Sequence, residues 1–238
     1  MDKLDTEILN EIQWKFPLVI EPFHEIAKKF QISPDEVKNI LNKLKRNGVL
    51  RQLSAIFDTR KLGYTSSLVA MEILPEKLEE VAFCINKHPG VSHNYEREHQ
   101  FNLWFTLAVP PGSDLKNEVE KFSKLEGIKK VRMLPTLQLF KIGVKLDMMD
   151  DKKHDVKPSE EKKKIKNIEF IPTEEDKEFI RHLQKDLEII DRPFLKASQS
   201  LGITEDAIFE KLNYYESIGV MRRFAAILRH REAGFTAN

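Results

Sequence analysis

The 238-residue chain has a single cysteine, Cys84, so no disulfide can form within it, and no Cys/His cluster has zinc spacing. No apolar run approaches the roughly 20 residues of a membrane-spanning helix. The opening MDKLDTEIL is polar and unlike a signal peptide. One-sided charge is also missing: the formal net charge is +1, and nothing in the overall balance announces a nucleic-acid partner. A soluble chain with no membrane partner is expected, in the cytoplasm. Hydrophobic residues make up 41% of the chain, enough to fill ordinary cores, and the length predicts two domains or a little more.

What the chain does have is a repeat. Residues 4–65 and 175–236 align without a gap at an offset of 171. Asp5, Glu7, Pro22, Phe23, Leu41, Gly48, Val49, Arg51 and Ala55 recur as Asp176, Glu178, Pro193, Phe194, Leu212, Gly219, Val220, Arg222 and Ala226. A match of this length marks a duplicated domain opening. The first copy runs on for about ninety residues before a linker, whereas the second stops at Asn238.

Helical spacing of Leu4, Ile8, Leu9 and Ile12 predicts a first helix over 3–14. A second covers about 22–30, with Phe23, Ile26, Ala27 and Phe30 on one face. Ser33 before Pro34 caps a third, which turns Val37, Ile40, Leu41 and Leu44 inward and ends at Gly48. The second copy repeats the trio over about 174–218, with Thr204 as the cap. Strand signals at 49–57, 67–73, 91–97, 100–108 and 128–143 alternate with helical stretches at 75–88 and 114–124. From Asp147 to Lys166 there is almost no apolar content, so this stretch, His154 included, reads as a solvated linker. The expected fold class is α+β: a winged helix-turn-helix (1–60), a ferredoxin-like βαββαβ sandwich (61–146), a charged linker (147–170), then a second winged helix-turn-helix with the start of a second sandwich (171–238).

Two segments carry chemistry. In HNYEREHQFNLWF, residues 93–105, the groups His93, Tyr95, Arg97 and His99 alternate, which on one strand puts all four on the same face. A histidine there can deliver a proton near neutral pH. An arginine can grip a carboxylate bidentately, and Tyr95 can donate to a carboxylate or stack on a ring. Asn102 and Trp104 return on the neighbouring strand as a polar anchor and a flat wall. The plain alternative is a solvated strand pair, but such strands favour threonine and simple charges over this set. The other segment, RRFAAILRHREAGFTAN at 222–238, clusters Arg222, Arg223, Arg229, His230 and Arg231 around an apolar stretch and ends in Asn238. Its bland readings are a basic DNA-contacting wing or a solubilising edge strand. His24, His88, His182 and Cys84 read as structural, the cysteine as a buried small residue.

The layout resembles the Lrp/AsnC regulators, and both segments resemble signatures of the siroheme decarboxylases, an enzymatic offshoot of that family. The resemblance covers almost the whole chain. It implies loss of carbon dioxide from two acetate side chains of siroheme, on the way to haem or d-type haem, by two related subunits or a fused pair. It further implies siroheme as partner and substrate, no cofactor beyond the iron of that substrate, and pairing with a second copy or a related subunit. His93, Arg97, His99 and His230 are then the expected catalytic residues. Tyr95, Asn102, Trp104, Arg222, Arg223, Arg231 and Asn238 are the expected substrate contacts. Since the first copy has Thr59 where the second has His230, and the second lacks an HNYEREH block, the site is expected to be composite. A fused pair also carries a second sandwich, so the chain reads as a truncated or naturally shortened form, or as one that relies on another chain.

Two other classes stay in play: a DNA-binding regulator and a non-catalytic tetrapyrrole carrier. DNA binding is disfavoured because the second copy's recognition helix carries Glu205, Asp206, Glu210 and Glu216 against one lysine, Lys211. In the first copy Lys38, Lys43, Lys45 and Arg46 could still meet phosphate.

Overall fold

The aspartate repeated near the start of each copy caps a helix. In the computed structural model, which describes residues 2–136 and 170–229, helix α1 (Lys3–Ile12) opens with a capping box between Asp2 and Asp5. The second copy does the same between Thr173 and Asp176 at the head of Glu174–Leu183. Each copy then adds two helices, α2 (Pro22–Phe30) and α3 (Pro34–Arg46) in the first. Ser33 caps α3 through the Glu36 N–H, as its place before a proline predicts. A strand closes the first copy, β1 (Leu50–Phe57).

Five elements of the sandwich follow, and a sixth completes it: β2 (Thr65–Ile73), α4 (Leu78–Asn86), β3 (Val91–Glu96), β4 (Leu103–Val109), α5 (Leu115–Ser123) and β5 (Ile128–Leu134). The second copy supplies α6 (Glu174–Leu183), α7 (Leu195–Leu201), α8 (Glu205–Ser217) and β6 (Met221–Leu228). The linker expected at 147–166, with His154, lies outside the described residues.

The described residues divide into two compact units. One holds the two copies, and the other is the segment that starts at Thr59. Within the first, β1 and β6 pair with each other antiparallel. Leu53 faces Ala226, Ser54 faces Ala225 and Ala55 faces Phe224, so the register reads the same from either copy, about a centre at Ser54 and Ala225. Backbone bonds outside the strands keep that symmetry. The Phe16 N–H donates to the Phe224 carbonyl at 3.0 Å and the Leu187 N–H to the Leu53 carbonyl at 2.7 Å, while Asp58 and Arg229 donate to Val220 and Val49. The duplication thus builds a dimer within one chain. Phe16, Phe23, Phe194, Phe209 and Phe224 form a chain of ring contacts through its middle, with centroids 5.1–5.8 Å apart.

The two aspartates are held by different partners. Asp5, 1% exposed, takes an ion pair from Lys43 at 2.9 Å. Asp176 accepts from the Tyr215 hydroxyl at 2.6 Å, from Lys211 at 2.8 Å, and from the Thr173 backbone and hydroxyl. Burial opposes the Asp176 carboxylate, but these donors outweigh it and hold its pKa at about 2. Because the folded value lies below the unfolded one, the stabilisation is complete above about pH 4 and is lost as pH falls through about 2. Asp176→Asn is therefore expected to lower unfolding stability by about 2 kcal/mol at pH 7. In urea titrations the gap to the parent protein should narrow steadily between pH 4 and pH 2. A gap independent of pH would mean that the carboxylate charge is not what stabilises this helix start.

In the second unit the strands run in the order β3-β4-β2-β5, every neighbouring pair antiparallel, which is the ferredoxin-like arrangement. Val69, Met71, Ile73, Leu103, Phe105 and Leu107 turn to one side and pack with Val81 and Ile85 of α4 and Val119 of α5. The alternate residues face the other way, and no described helix covers them. Cys84 is half-buried on α4 rather than fully buried. Among the described residues no helix is long and apolar enough to cross a membrane.

Candidate functional site on the open sheet face

Strand β3 is aimed by the turn that precedes it. The Gly90 N–H donates to His88 Nδ1 at 3.0 Å, and the Gly90 carbonyl accepts from the Ala108 N–H. A Cβ at position 90 would lie 2.0 Å from the Ala108 carbonyl oxygen, so only glycine permits this close approach. A register irregularity between Val91 and His93 follows, and from there Asn94 faces Phe105 and Tyr95 faces Trp104. Phe105 is in the core, which puts Trp104, Tyr95 and His93 on the open face.

On that face the His93 and Tyr95 rings lie 6.1 Å apart, and the Arg97 guanidinium sits over the Tyr95 ring at 5.3 Å. All three side chains are exposed, and no carboxylate among the described residues pairs with Arg97. His93 Nδ1 shares a hydrogen bond with the Ser92 hydroxyl at 3.0 Å, which leaves Nε2 available. Trp104 is half-buried, and its indole N–H donates to the Phe101 carbonyl at 2.7 Å, locking the ring in place as a wall.

Two expected members differ from the sequence reading. The strand ends at Glu96, and residues 97–102 form the hairpin that joins β3 to β4, closed by the Arg97 N–H on the Asn102 carbonyl. His99 is therefore not fourth in an alternating row. It stacks on Phe101 in the hairpin, with centroids 6.3 Å apart, and its Nδ1 accepts from the Phe101 N–H. That bond puts the proton of the neutral ring on Nε2. Asn102 is a clamp within the sheet: its amide accepts from the Ile73 N–H and donates to the Ile73 carbonyl, both at 2.9 Å. With both ends engaged it holds β2 to the hairpin rather than offering a free anchor.

Arg222 and Arg223, the described members of the expected arginine grip, are not brought together. Arg222 and Arg223 are consecutive on β6 and so point to opposite faces. Arg222 pairs with Asp58 at 3.2 Å, while Arg223 lies over the Trp14 ring at 4.8 Å. Burial, with Arg222 beside it, pushes the Arg223 guanidinium's pKa down. His230, Arg231 and Asn238 lie outside the described residues.

Sequence reasoning missed the contribution of β2 to the open face. Leu68 and Ala70 face Thr106 and Trp104 across the ladder and are flanked by β5 on their other side. The run from Ser67 to Ile73 reads as an alternating or a buried strand, so which residues face the core is decided by the pairing and not by the pattern.

The helices that would read DNA are otherwise occupied. Lys38 binds Asp35 and Asp191, Lys43 binds Asp5 and Asp2, and Lys45 binds Asp186 at 2.6 Å. Asp186 and Asp191 come from the second copy, so the intramolecular pairing consumes these recognition-helix cations.

Comparison with known proteins gives the same direction. Residues 61–141 match the AsnC-like ligand binding domain, and residues 5–51 and 176–222 each match the siroheme decarboxylase NirDL-like HTH domain. The siroheme decarboxylase of Hydrogenobacter thermophilus is 42% identical over 98% of this chain, which covers 68% of that protein. The siroheme decarboxylase alpha subunit of Desulfovibrio desulfuricans is 34% identical over 63% of this chain and 87% of its own length. A crystal structure of the siroheme decarboxylase NirDL in complex with an iron-uroporphyrin III analogue superimposes with a TM-score of 0.75 at 35% identity, over 95% of this chain and 66% of that one. The chain thus spans about two thirds of the longer relatives it matches. Such identity across both copies and the sandwich places it plainly: the chain belongs to the siroheme decarboxylase family.

Proposed function

We propose that this protein removes carbon dioxide from acetate side chains of siroheme, in the cytoplasm, as a step towards haem or d-type haem, and that the open sheet face carries the substrate. The observation that supports this most is the cluster of His93, Tyr95 and Arg97 beside the fixed wall of Trp104. A flat macrocycle can lie against the Tyr95 and Trp104 rings while Arg97 grips one of its carboxylates in the bidentate manner that guanidinium favours. Breaking the bond between an acetate methylene and its carboxylate releases carbon dioxide and leaves an electron pair. The conjugated ring spreads that pair until the methylene carbon takes a proton and becomes a methyl group. His93, whose Nε2 has no partner among the described residues, is the proton donor in this reading. The iron belongs to the substrate. A second copy or a related subunit is the expected partner of the active assembly.

Anaerobic incubation of the purified chain with siroheme, followed by mass spectrometry of the tetrapyrrole, tests the reading. Loss of one or two carbon dioxide units is the expected result. Bound siroheme of unchanged mass would make the chain a carrier, and absence of both binding and turnover would overturn the assignment. The regulator reading gains no support from helices whose lysines are already paired to carboxylates.

A further inference from the structure

The register across the sheet places one more group on the open face. Tyr95 on β3 faces Trp104 on β4, Trp104 faces Ala70 on β2, and Ala70 faces Arg132 on β5. The neighbouring row runs His93, Thr106, Leu68, Leu134. Val131 and Met133, on either side of Arg132, pack against the core, so Arg132 points outward with Leu68 and Leu134. Leu68 is 38% and Leu134 41% exposed, an apolar centre left bare beside Trp104.

The two cations of β5 on this face are in different states. Lys130 pairs with Glu72 at 3.3 Å, and Gln100 also donates to that carboxylate. Arg132 is exposed, and among the described residues its only recorded bond is to the neighbouring Val131 carbonyl, 3.1 Å away. It faces the open surface, and no carboxylate among the described residues compensates its charge.

Resting on the function proposed above, we propose that Arg132 is a second carboxylate clamp for the macrocycle, at the far end of the sheet from Arg97. Strands lie about 4.8 Å apart, so the row from Tyr95 to Arg132 spans roughly 14 Å. That is comparable to a tetrapyrrole with its carboxylate arms extended. The face therefore presents Arg97 and His93 at one edge, Arg132 at the other, and Trp104 and Leu68 between them. Ala70, 2% exposed, is buried between the indole and the guanidinium and offers the face no surface of its own. A flat apolar ring carrying anions on opposite sides matches this order of groups, whereas a small amino-acid ligand would engage only one end.

Titration of the full chain with iron uroporphyrin and, separately, with an iron porphyrin bearing a single pair of propionates tests the assignment by the change in the Soret band. Arg132→Gln is expected to weaken iron uroporphyrin about 10- to 100-fold, the loss of one bidentate charged contact. Binding of the two-propionate porphyrin should change less than about twofold, and Arg132→Lys should recover only part of the loss. Lys129→Gln removes the same charge from the same strand, at the register irregularity and outside the row, and should leave both affinities as they were. Unchanged iron uroporphyrin affinity in Arg132→Gln overturns the clamp, as does an equal loss for both porphyrins or an equal effect of Lys129→Gln; the function then stands without it. Failure of the parent chain to bind either porphyrin overturns the function itself and the clamp with it.

Discussion

His93→Gln is expected to lower the rate of carbon dioxide release about 100- to 10,000-fold, the range found when a positioned acid is removed, while siroheme affinity stays within a few-fold of the parent. The argument is positional. His93 stands on the open face beside Tyr95, where a macrocycle braced on Trp104 would lie, and its Nδ1 is already engaged by Ser92. A glutamine can keep a hydrogen bond to the substrate but cannot deliver a proton. Arg97→Gln should show the opposite division, with weakened binding and a smaller effect on the rate of bound substrate, because its proposed part is to hold a carboxylate. His99→Gln separates the two histidines. His99 sits in the hairpin with Nδ1 held by the Phe101 N–H, and its loss should cost less in rate than the loss of His93. Single-turnover mass spectrometry beside a binding titration reads both quantities. Parent-like turnover in His93→Gln with a collapse in His99→Gln would assign the proton to the hairpin instead.

The architecture was largely legible in the sequence because the signals were local. Ser33-Pro34 and Thr204 mark helix starts through bonds made within one turn, and the structure shows each bond. The order of strands and helices in the sandwich followed from periodicity. The repeat announced itself, but not its consequence. Nothing local says that β1 will pair with β6, since that ladder joins residues more than 160 positions apart. Nor does it say that Lys38 and Lys45 will find Asp191 and Asp186 across it.

The site was legible in part for the same reason. His93 and Tyr95 were placed by alternation, which holds while the strand lasts, and Arg97 follows at the first residue of the hairpin. His99 was misplaced because the hairpin begins at Arg97, where backbone bonds to Asn102 take over from the ladder. Asn102 looked like a ligand group, yet its amide fits the Ile73 backbone at both ends, and that fit depends on the neighbouring strand. Arg132 was invisible for a related reason. Its relation to Trp104 passes through Ala70, and two registers have to be known before the row exists.

Phe16→Ala is expected to be the most damaging single change to the repeat unit, lowering its unfolding free energy by about 3–5 kcal/mol. The ring is 1% exposed and lies 5.8 Å from Phe23 of its own copy and 5.7 Å from Phe224 of the other. Its backbone N–H also donates to the Phe224 carbonyl, so the side chain and the main chain fasten the same two strands of sequence. Truncation leaves a cavity walled by stiff aromatic rings, which collapse poorly around lost volume. The internal symmetry supplies a matched control. The residue 171 positions on is Leu187, 8% exposed, whose N–H makes the equivalent bond to Leu53. Leu187→Ala removes a smaller side chain and no aromatic pair, and such pairs add about 0.5–1.5 kcal/mol beyond burial. It should therefore cost less than Phe16→Ala in chemical denaturation, and amide exchange along β1 and β6 should quicken more in the phenylalanine variant. An equal or larger loss in Leu187→Ala would show that the stability of the paired copies is spread evenly over the two halves and is not concentrated in the aromatic chain.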